Sequence, residues 1–291
     1  MENKLAKRGP NDITVPKYGK DSRDSRQNYT FIFVLVPKPN PYICPQMETM
    51  AKKVIPYKGS SLGKKEQVKE MFDNISKNYD GLNRIISFGT DIKWRKRIVK
   101  LLANKAPGKI LDIATGTGDL AIALTATGAE EIIGLDLSPG MLEVGKAKVA
   151  EKGLQDTIGM VLGDSEDLPF GPGSFDAVTV AFGVRNFEDL EKGLSEIHRV
   201  LKIGGQLVIL ETSVPTKTPF KQGYHLYTKY LLPLIGKIFS KDRCAYAYLS
   251  ESAAQFPHGA AFNNILAKIG FIAIENKPQT LGVATIYVAT K

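Results

Sequence analysis

The residues best suited to chemistry sit in Asp112-Ile113-Ala114-Thr115-Gly116-Thr117-Gly118-Asp119, where an apolar strand breaks at two glycines before an apolar helix begins at residues 120–124. Glycine at 116 and 118 permits backbone angles and a close ligand approach that a Cβ would block, as nucleotide-type cradles require. Gly116, Gly118 and Ala121 also satisfy the dinucleotide spacing G-x-G-x-x-G/A. Asp119 argues for a different ligand, because a carboxylate at the helix start repels a pyrophosphate and suits a cation. S-adenosylmethionine, with its sulfonium and ammonium groups, carries that charge.

Further acids follow at the ends of later apolar runs. Asp136 closes the run 131–135, eighteen residues after Gly118, where a second strand delivers a carboxylate to ribose hydroxyls. Residues 158–162 lead into Gly163-Asp164-Ser165, an acid and a hydroxyl placed to meet a purine amino group. An ordinary strand-to-helix turn, or a nicotinamide site, would use the same two glycines. The ordered series Asp112, Asp119, Asp136 and Asp164 favours the cationic donor.

These residues need a sheet to hold them. From residue 109 strand signals recur near 109–114, 131–136, 158–162, 175–182, 206–211, 271–275 and 283–290, with crossover helices at 139–152 and 187–201. That alternation predicts an α/β fold, a doubly wound and mostly parallel sheet of seven strands, with Gly204-Gly205 as a tight turn before the fifth. Val68, Met71, Phe72 and Ile75 recur at helical spacing, which predicts an amphipathic helix over 64–79 closing on a cleft, and a second helix covers 92–102. Residues 50–106 thus form a helical N-terminal cap and 107–291 the ligand-binding domain. Residues 215–256 interrupt the alternation with a Tyr- and Leu-rich stretch, predicted to be a helical lid or substrate wall.

Composition bounds the partners. The chain has 291 residues, 43% of them hydrophobic, enough for one such domain and an extension. Its formal charge of +9 is uneven, since residues 1–60 hold 11 Lys or Arg against 5 Asp or Glu. The remainder is too weakly basic, and too poor in aromatic-basic motifs, to read as a nucleic-acid binder. Residues 1–49 carry six prolines and no sustained periodicity, and read as an unstructured extension or an overextended reading frame with Met47 and Met50 as internal starts. Two cysteines, Cys44 and Cys244, give no disulfide framework and fit a reducing cytoplasm. His198, His225 and His258 lack ligand spacing, so no metal is expected. No run approaches the roughly 20 apolar residues that cross a bilayer.

From about residue 64 onward the chain resembles the ubiquinone/menaquinone biosynthesis C-methyltransferases. Tyr79-Asp80-Gly81-Leu82-Asn83 with Ser87 and Trp94 resembles that family's first signature, and 199–205 through Glu211-Thr212-Ser213 its second. Phe182-Gly183-Val184-Arg185-Asn186 adds a third segment. The resemblance implies a class I, Rossmann-like methyltransferase fold, S-adenosylmethionine as donor and a prenylated naphthoquinol as acceptor, with the menaquinone enzyme favoured over a ubiquinone-precursor benzoquinol. It places Thr117, Asp136, Asp164 and Ser165 on donor-binding positions, beside Asp112, Gly116 and Gly118 of the loop. Departures are Asp91 where the family carries His, Ile203 where it carries Pro, and Ala181 where it often carries Ser.

Methylating a quinol at carbon needs electron density on the ring and an in-line methyl, with no metal. The expected catalytic residues are Arg185 for the developing phenolate, Asn186 for orienting the ring oxygen, and Tyr79 and Asn83, with Asp80, at the mouth of the site. An ion pair for Arg185, and packing or capping for Tyr79, Asp80 and Asn83, are the competing roles. The apolar run 230–239 suits a groove for a prenyl tail, or core. A bilayer-dwelling substrate implies peripheral contact with the inner membrane through this run or the first helix, and a homodimer is a further expected partner state.

Overall fold

The computed structural model describes residues 54–231 and 243–291, so the expected extension 1–49 and most of the apolar run 230–239 lie outside the described residues. Strands β1 (Lys109–Ile113), β2 (Glu131–Asp136), β3 (Ile158–Leu162), β4 (Phe175–Ala181), β5 (Leu201–Thr212), β6 (Ile272–Gln279) and β7 (Ala284–Thr290) form one sheet in the order 3-2-1-4-5-7-6. β1 to β5 pair in parallel, while β7 runs antiparallel between β5 and β6. The reversal of order between β1 and β4 makes the switch point where such sheets bind ligands beyond the strand carboxyl ends.

Strand alternation buries both faces. On one face Leu111, Ile113, Val178, Val180, Leu207 and Ile209 pack against Leu194 and Ile197 of α6 (Leu190–Val200) and Phe262 and Leu266 of α9 (Ala260–Ile269). On the other, Ile110, Ile132, Ala177, Val208 and Leu210 pack against Trp94, Ile98 and Leu102 of α3 (Thr90–Ala103), with Leu120 and Leu124 of α4 (Asp119–Leu124) and Val149 of α5 (Pro139–Glu151). Adjacent residues of one strand thus serve opposite layers.

A third cluster lies with the cap. Val68, Met71 and Ile75 of α1 (Lys64–Ile75) and Leu82 of α2 (Tyr79–Ile86) pack with Met141 of α5 and with Ala245 and Tyr248 of α8 (Arg243–Gln255), so the cap and the insertion share one core. From Phe220 the insertion is helical where described, through α7 (Phe220–Leu226), a π turn at Tyr227–Leu231, and α8.

Three local readings change. The expected helix over 64–79 ends at Ile75; one 3₁₀ turn follows, and Tyr79 opens a separate helix instead of closing the first. Gly204-Gly205 is a bulge within β5, where the register against β4 jumps from Phe175–Leu201 to Ala177–Gln206, not a turn before the strand. The second crossover helix starts at Leu190, capped by the Asp189 side chain, rather than at 187.

Candidate active site

The glycine loop adopts the backbone expected of it, with Gly116 at φ 57° and Gly118 at φ 77°, both left-handed. The non-glycine neighbours Ala114 (φ 51°) and Phe182 (φ 57°) share that conformation on the ends of adjacent strands β1 and β4. Such residues cost free energy and persist where the surrounding structure requires them, typically at sites. The two turns interlock, since a Cβ on Gly183 would lie 2.5 Å from the Ala114 Cβ.

Above them is a cavity walled by Gly116, Asp136, Asp164, Ser165, Tyr79 and Asn186, with α1 forming one side. Six of the eleven site residues expected from the sequence therefore meet at one cavity. Asp136 accepts hydrogen bonds from the backbone N–H of Gly116 (2.7 Å) and Ser138 (2.9 Å), and burial pushes its carboxyl up to about 6. Asp164, after the neighbouring strand β3, lines the same cavity, accepting from Lys65 Nζ at 2.6 Å and from the Glu166 N–H at 2.9 Å. A left-handed cradle, an acid at the end of β2 and an acid-hydroxyl pair after β3 fit the cationic nucleoside donor in shape and charge.

The other five stand outside that wall. Asp112 lies within β1, where Thr115 and Thr179 each donate a hydroxyl bond at 2.6 Å and burial pushes the carboxyl up to about 6. It joins β1, β4 and the loop from beneath. Thr117 spends its hydroxyl on Asp80, and Lys148 binds both Asp80 (2.8 Å) and Asp119. Asp119, whose charge argued against a pyrophosphate, is thus held by Lys148 with Arg84 and Arg95 within 4 Å, outside the cavity wall. Gly118 opens α4 as its cap, and Asn83 lies one turn along α2 from Tyr79, hydrogen-bonded to its phenol. Burial holds the Tyr79 phenol above its ordinary range.

Arg185 pairs with Glu211 at the end of β5, with Arg185 8% and Glu211 0% exposed at the side chain. The ion-pairing role considered for Arg185 is therefore occupied, but in the interior beside the cavity rather than at the surface. Asn186 accepts from the Tyr248 phenol at 3.1 Å, which brings the insertion to the cavity wall; burial pushes Tyr248 up to about 12. Sequence reasoning missed Lys65, Glu211 and Tyr248. Of these only Glu211 left a signal, a lone carboxylate at the end of the apolar strand 207–211. Among the described residues no His, Cys, Asp and Glu group could hold a metal ion, and no helix is long and apolar enough to cross a membrane.

The family model described as the ubiE/COQ5 methyltransferase family matches residues 60–291. Demethylmenaquinone methyltransferase of Bacteroides fragilis is 47% identical over 242 residues, covering 82% of this chain and 98% of the relative. Ubiquinone/menaquinone biosynthesis C-methyltransferase UbiE of Geotalea daltonii is 45% identical over 230 residues, covering 78% and 97%. Among solved structures, a SAM-dependent methyltransferase of Thermotoga maritima superposes with a TM-score of 0.54 at 18% identity, over 77% of this chain and 99% of that one, a likeness of fold.

Proposed function

The chain belongs to the ubiE/COQ5 methyltransferase family, and from that premise we propose that its acceptor is a prenylated demethylnaphthoquinol, methylated on the ring carbon to give the menaquinol. The reaction class is S-adenosylmethionine-dependent C-methylation in menaquinone or ubiquinone biosynthesis. This sets aside the nicotinamide-dependent reading of the glycine loop.

One observation carries the proposal: the donor cavity opens beside a buried polar cluster, Arg185-Glu211 and Asn186-Tyr248, next to tyrosines of the cap and the insertion. Asp136 would hold the ribose, Asp164 and Ser165 the adenine, and the Gly116 turn the chain between them. The donor supplies an electrophilic methyl. This chain's residues supply position, and holding two reactants in near-attack geometry contributes on the order of 7–11 kcal/mol, against about 3–5 for one general base. Arg185 is placed to stabilise negative charge on a ring oxygen, and Asn186 to orient it.

Membrane contact belongs to the same proposal. Ile85, Phe88 and Ile92 of the α2–α3 turn are exposed, Phe88 to 72%, and so are Phe220 and Leu226 of α7. The Phe88 and Tyr227 rings meet at 6.3 Å and the Tyr227 hydroxyl donates to the Ile86 carbonyl, joining the two segments into one apolar face. Exposed charges along 84–100 are all basic, and 217–231 contains no acid. An apolar face with a basic rim suits an anionic bilayer surface, where a prenylated substrate lives. We place the protein in the cytoplasm, working at the inner membrane.

Mass spectrometry of a reduced, prenylated demethylnaphthoquinol incubated with the protein and S-adenosylmethionine tests the reading. A gain of one methylene on the ring supports it. No gain, despite calorimetric binding of the donor, overturns it in favour of a benzoquinol or another acceptor.

A further inference from the structure

Three buried side-chain polar atoms among the described residues lack a hydrogen-bond partner, and two of them belong to one ion pair: Arg185 Nε and Glu211 Oε2. Buried polar atoms are almost always paired, and an exception calls for a physical explanation, of which a catalytic role is one. The other carboxylate oxygen of the pair is fully engaged. Glu211 Oε1 takes Arg185 Nη1, the Thr212 N–H at 2.7 Å and the Thr212 hydroxyl at 3.1 Å, so the carboxylate is fixed with one oxygen open.

Glu211 stands near the carboxyl end of β5, the end of the sheet at which the cavity lies. Glu211 follows Leu210, which pairs with Ala181 of the cavity wall, and the Phe182 N–H bonds the Leu210 carbonyl at 2.7 Å. Arg185 lies outside that wall but directly precedes Asn186, which is part of it. The ionisable groups facing Glu211 are Arg185 and the phenols of Tyr224, Tyr248 and Tyr287, whose pKa values burial raises. Phenols held neutral accept protons poorly, and a guanidinium accepts none. Glu211 is the one basic group in the cluster.

We propose that Glu211 is the proton acceptor for the ring hydroxyl of the acceptor, with Arg185 as a counter-ion that changes partner during the reaction. The proposal rests on the quinol reading above. The hydroxyl O–H bond breaks, its proton goes to Glu211 Oε2, and the oxygen's negative charge takes the Arg185 Nε–H. The buried site keeps its net charge, which avoids creating an unpaired ion in the interior. The electron pair moves to the ortho carbon, which bonds the sulfonium methyl as the carbon–sulfur bond breaks. The methylated carbon then loses its hydrogen as a proton to solvent while Glu211 returns its proton to the ring oxygen. One proton is released per methyl transferred, and no oxidant is used.

Turnover of a reduced demethylnaphthoquinol by the full chain is measured across pH for wild type, Glu211→Gln and Glu211→Asp, alongside donor affinity and melting temperature. Glu211→Gln is expected to lower kcat by roughly 10² to 10⁴ with donor affinity unchanged. Glu211→Asp keeps the charge against Arg185 and so the fold, but draws the open oxygen back; its kcat is expected to fall at least about tenfold at an unchanged melting temperature. Either folded variant with wild-type kcat overturns the role of Glu211 alone. A wild type that turns over no naphthoquinol overturns the substrate reading, and this role with it.

Discussion

Lys65 of α1 lines the proposed donor cavity, its Nζ 2.6 Å from Asp164 and 3.1 Å from Glu166. The same helix is tied at both ends: Lys64 bonds the Arg185 and Phe187 carbonyls, and Asp73 accepts from the Ser138 hydroxyl and the Gly140 N–H. α1 is therefore a cover laced to both walls of the site. Lys65→Met removes one lace. A half-buried, hydrogen-bonded pair of this kind is worth about 1 kcal/mol, so donor dissociation is expected to quicken roughly fivefold, read by stopped-flow displacement. An unchanged rate would show that α1 does not retain the donor.

Asp136 gives the site a pH dependence. Burial pushes its folded carboxyl up to about 6, above the ordinary 3.8, so between those values the native state binds more protons than the unfolded one and this group's contribution to stability falls as pH rises. In the proposed donor complex the ribose hydroxyls would donate to the ionised form. Donor affinity is therefore expected to weaken as pH drops through about 6, approaching tenfold per pH unit below it, and to lose that dependence in Asp136→Asn. Calorimetric titrations across this range check both.

Gly183 holds two turns together. In Gly183→Ala the new Cβ would meet the Ala114 Cβ at 2.5 Å and Val180 Cγ1 at 2.9 Å, neither on a flexible chain. Overpacking of this kind costs about 1–3 kcal/mol. A lower melting temperature is expected, together with weaker donor binding as the Ala114–Gly116 turn moves; a variant with both at wild-type values would contradict the interlock.

The apolar face at Phe88 predicts vesicle binding. Wild type is expected to float with anionic liposomes, and Phe88→Glu to lose at least about tenfold in partitioning, since burying a Phe is worth roughly 1.5–3 kcal/mol. Turnover of a short-chain, water-soluble quinol should not change. Equal flotation of the two proteins would place membrane contact elsewhere.

Much of this architecture was legible because its signals are local. The glycine turn, the acids closing β2 and β3 and the seven strands all follow from short-range patterns of apolar runs and breakers, and each stands within a few residues of its expected place. What escaped depends on partners distant in sequence. Asp119 reads as a ligand-facing acid until Lys148, 29 residues on, is seen to hold it. Glu211 and Arg185 lie 26 residues apart on neighbouring strand ends, and nothing local to either says that they pair. Tyr248 reaches Asn186 across 62 residues, through an insertion whose fold the alternating pattern does not specify. Gly204-Gly205 looked like a turn because a left-handed glycine serves a bulge as well as a turn, and only the register across to β4 separates the two.

The left-handed residues Ala114 and Phe182 bear on attempts to harden this enzyme against heat. Outside glycine that conformation costs about 1–2 kcal/mol per residue, so selection for thermal resistance alone would favour glycine at both positions. Each such replacement would loosen the turns that aim the donor cradle and the Arg185 loop at one another. Variants recovered from a heat screen at these positions should survive longer and work less, and a library meant to keep turnover should leave them fixed.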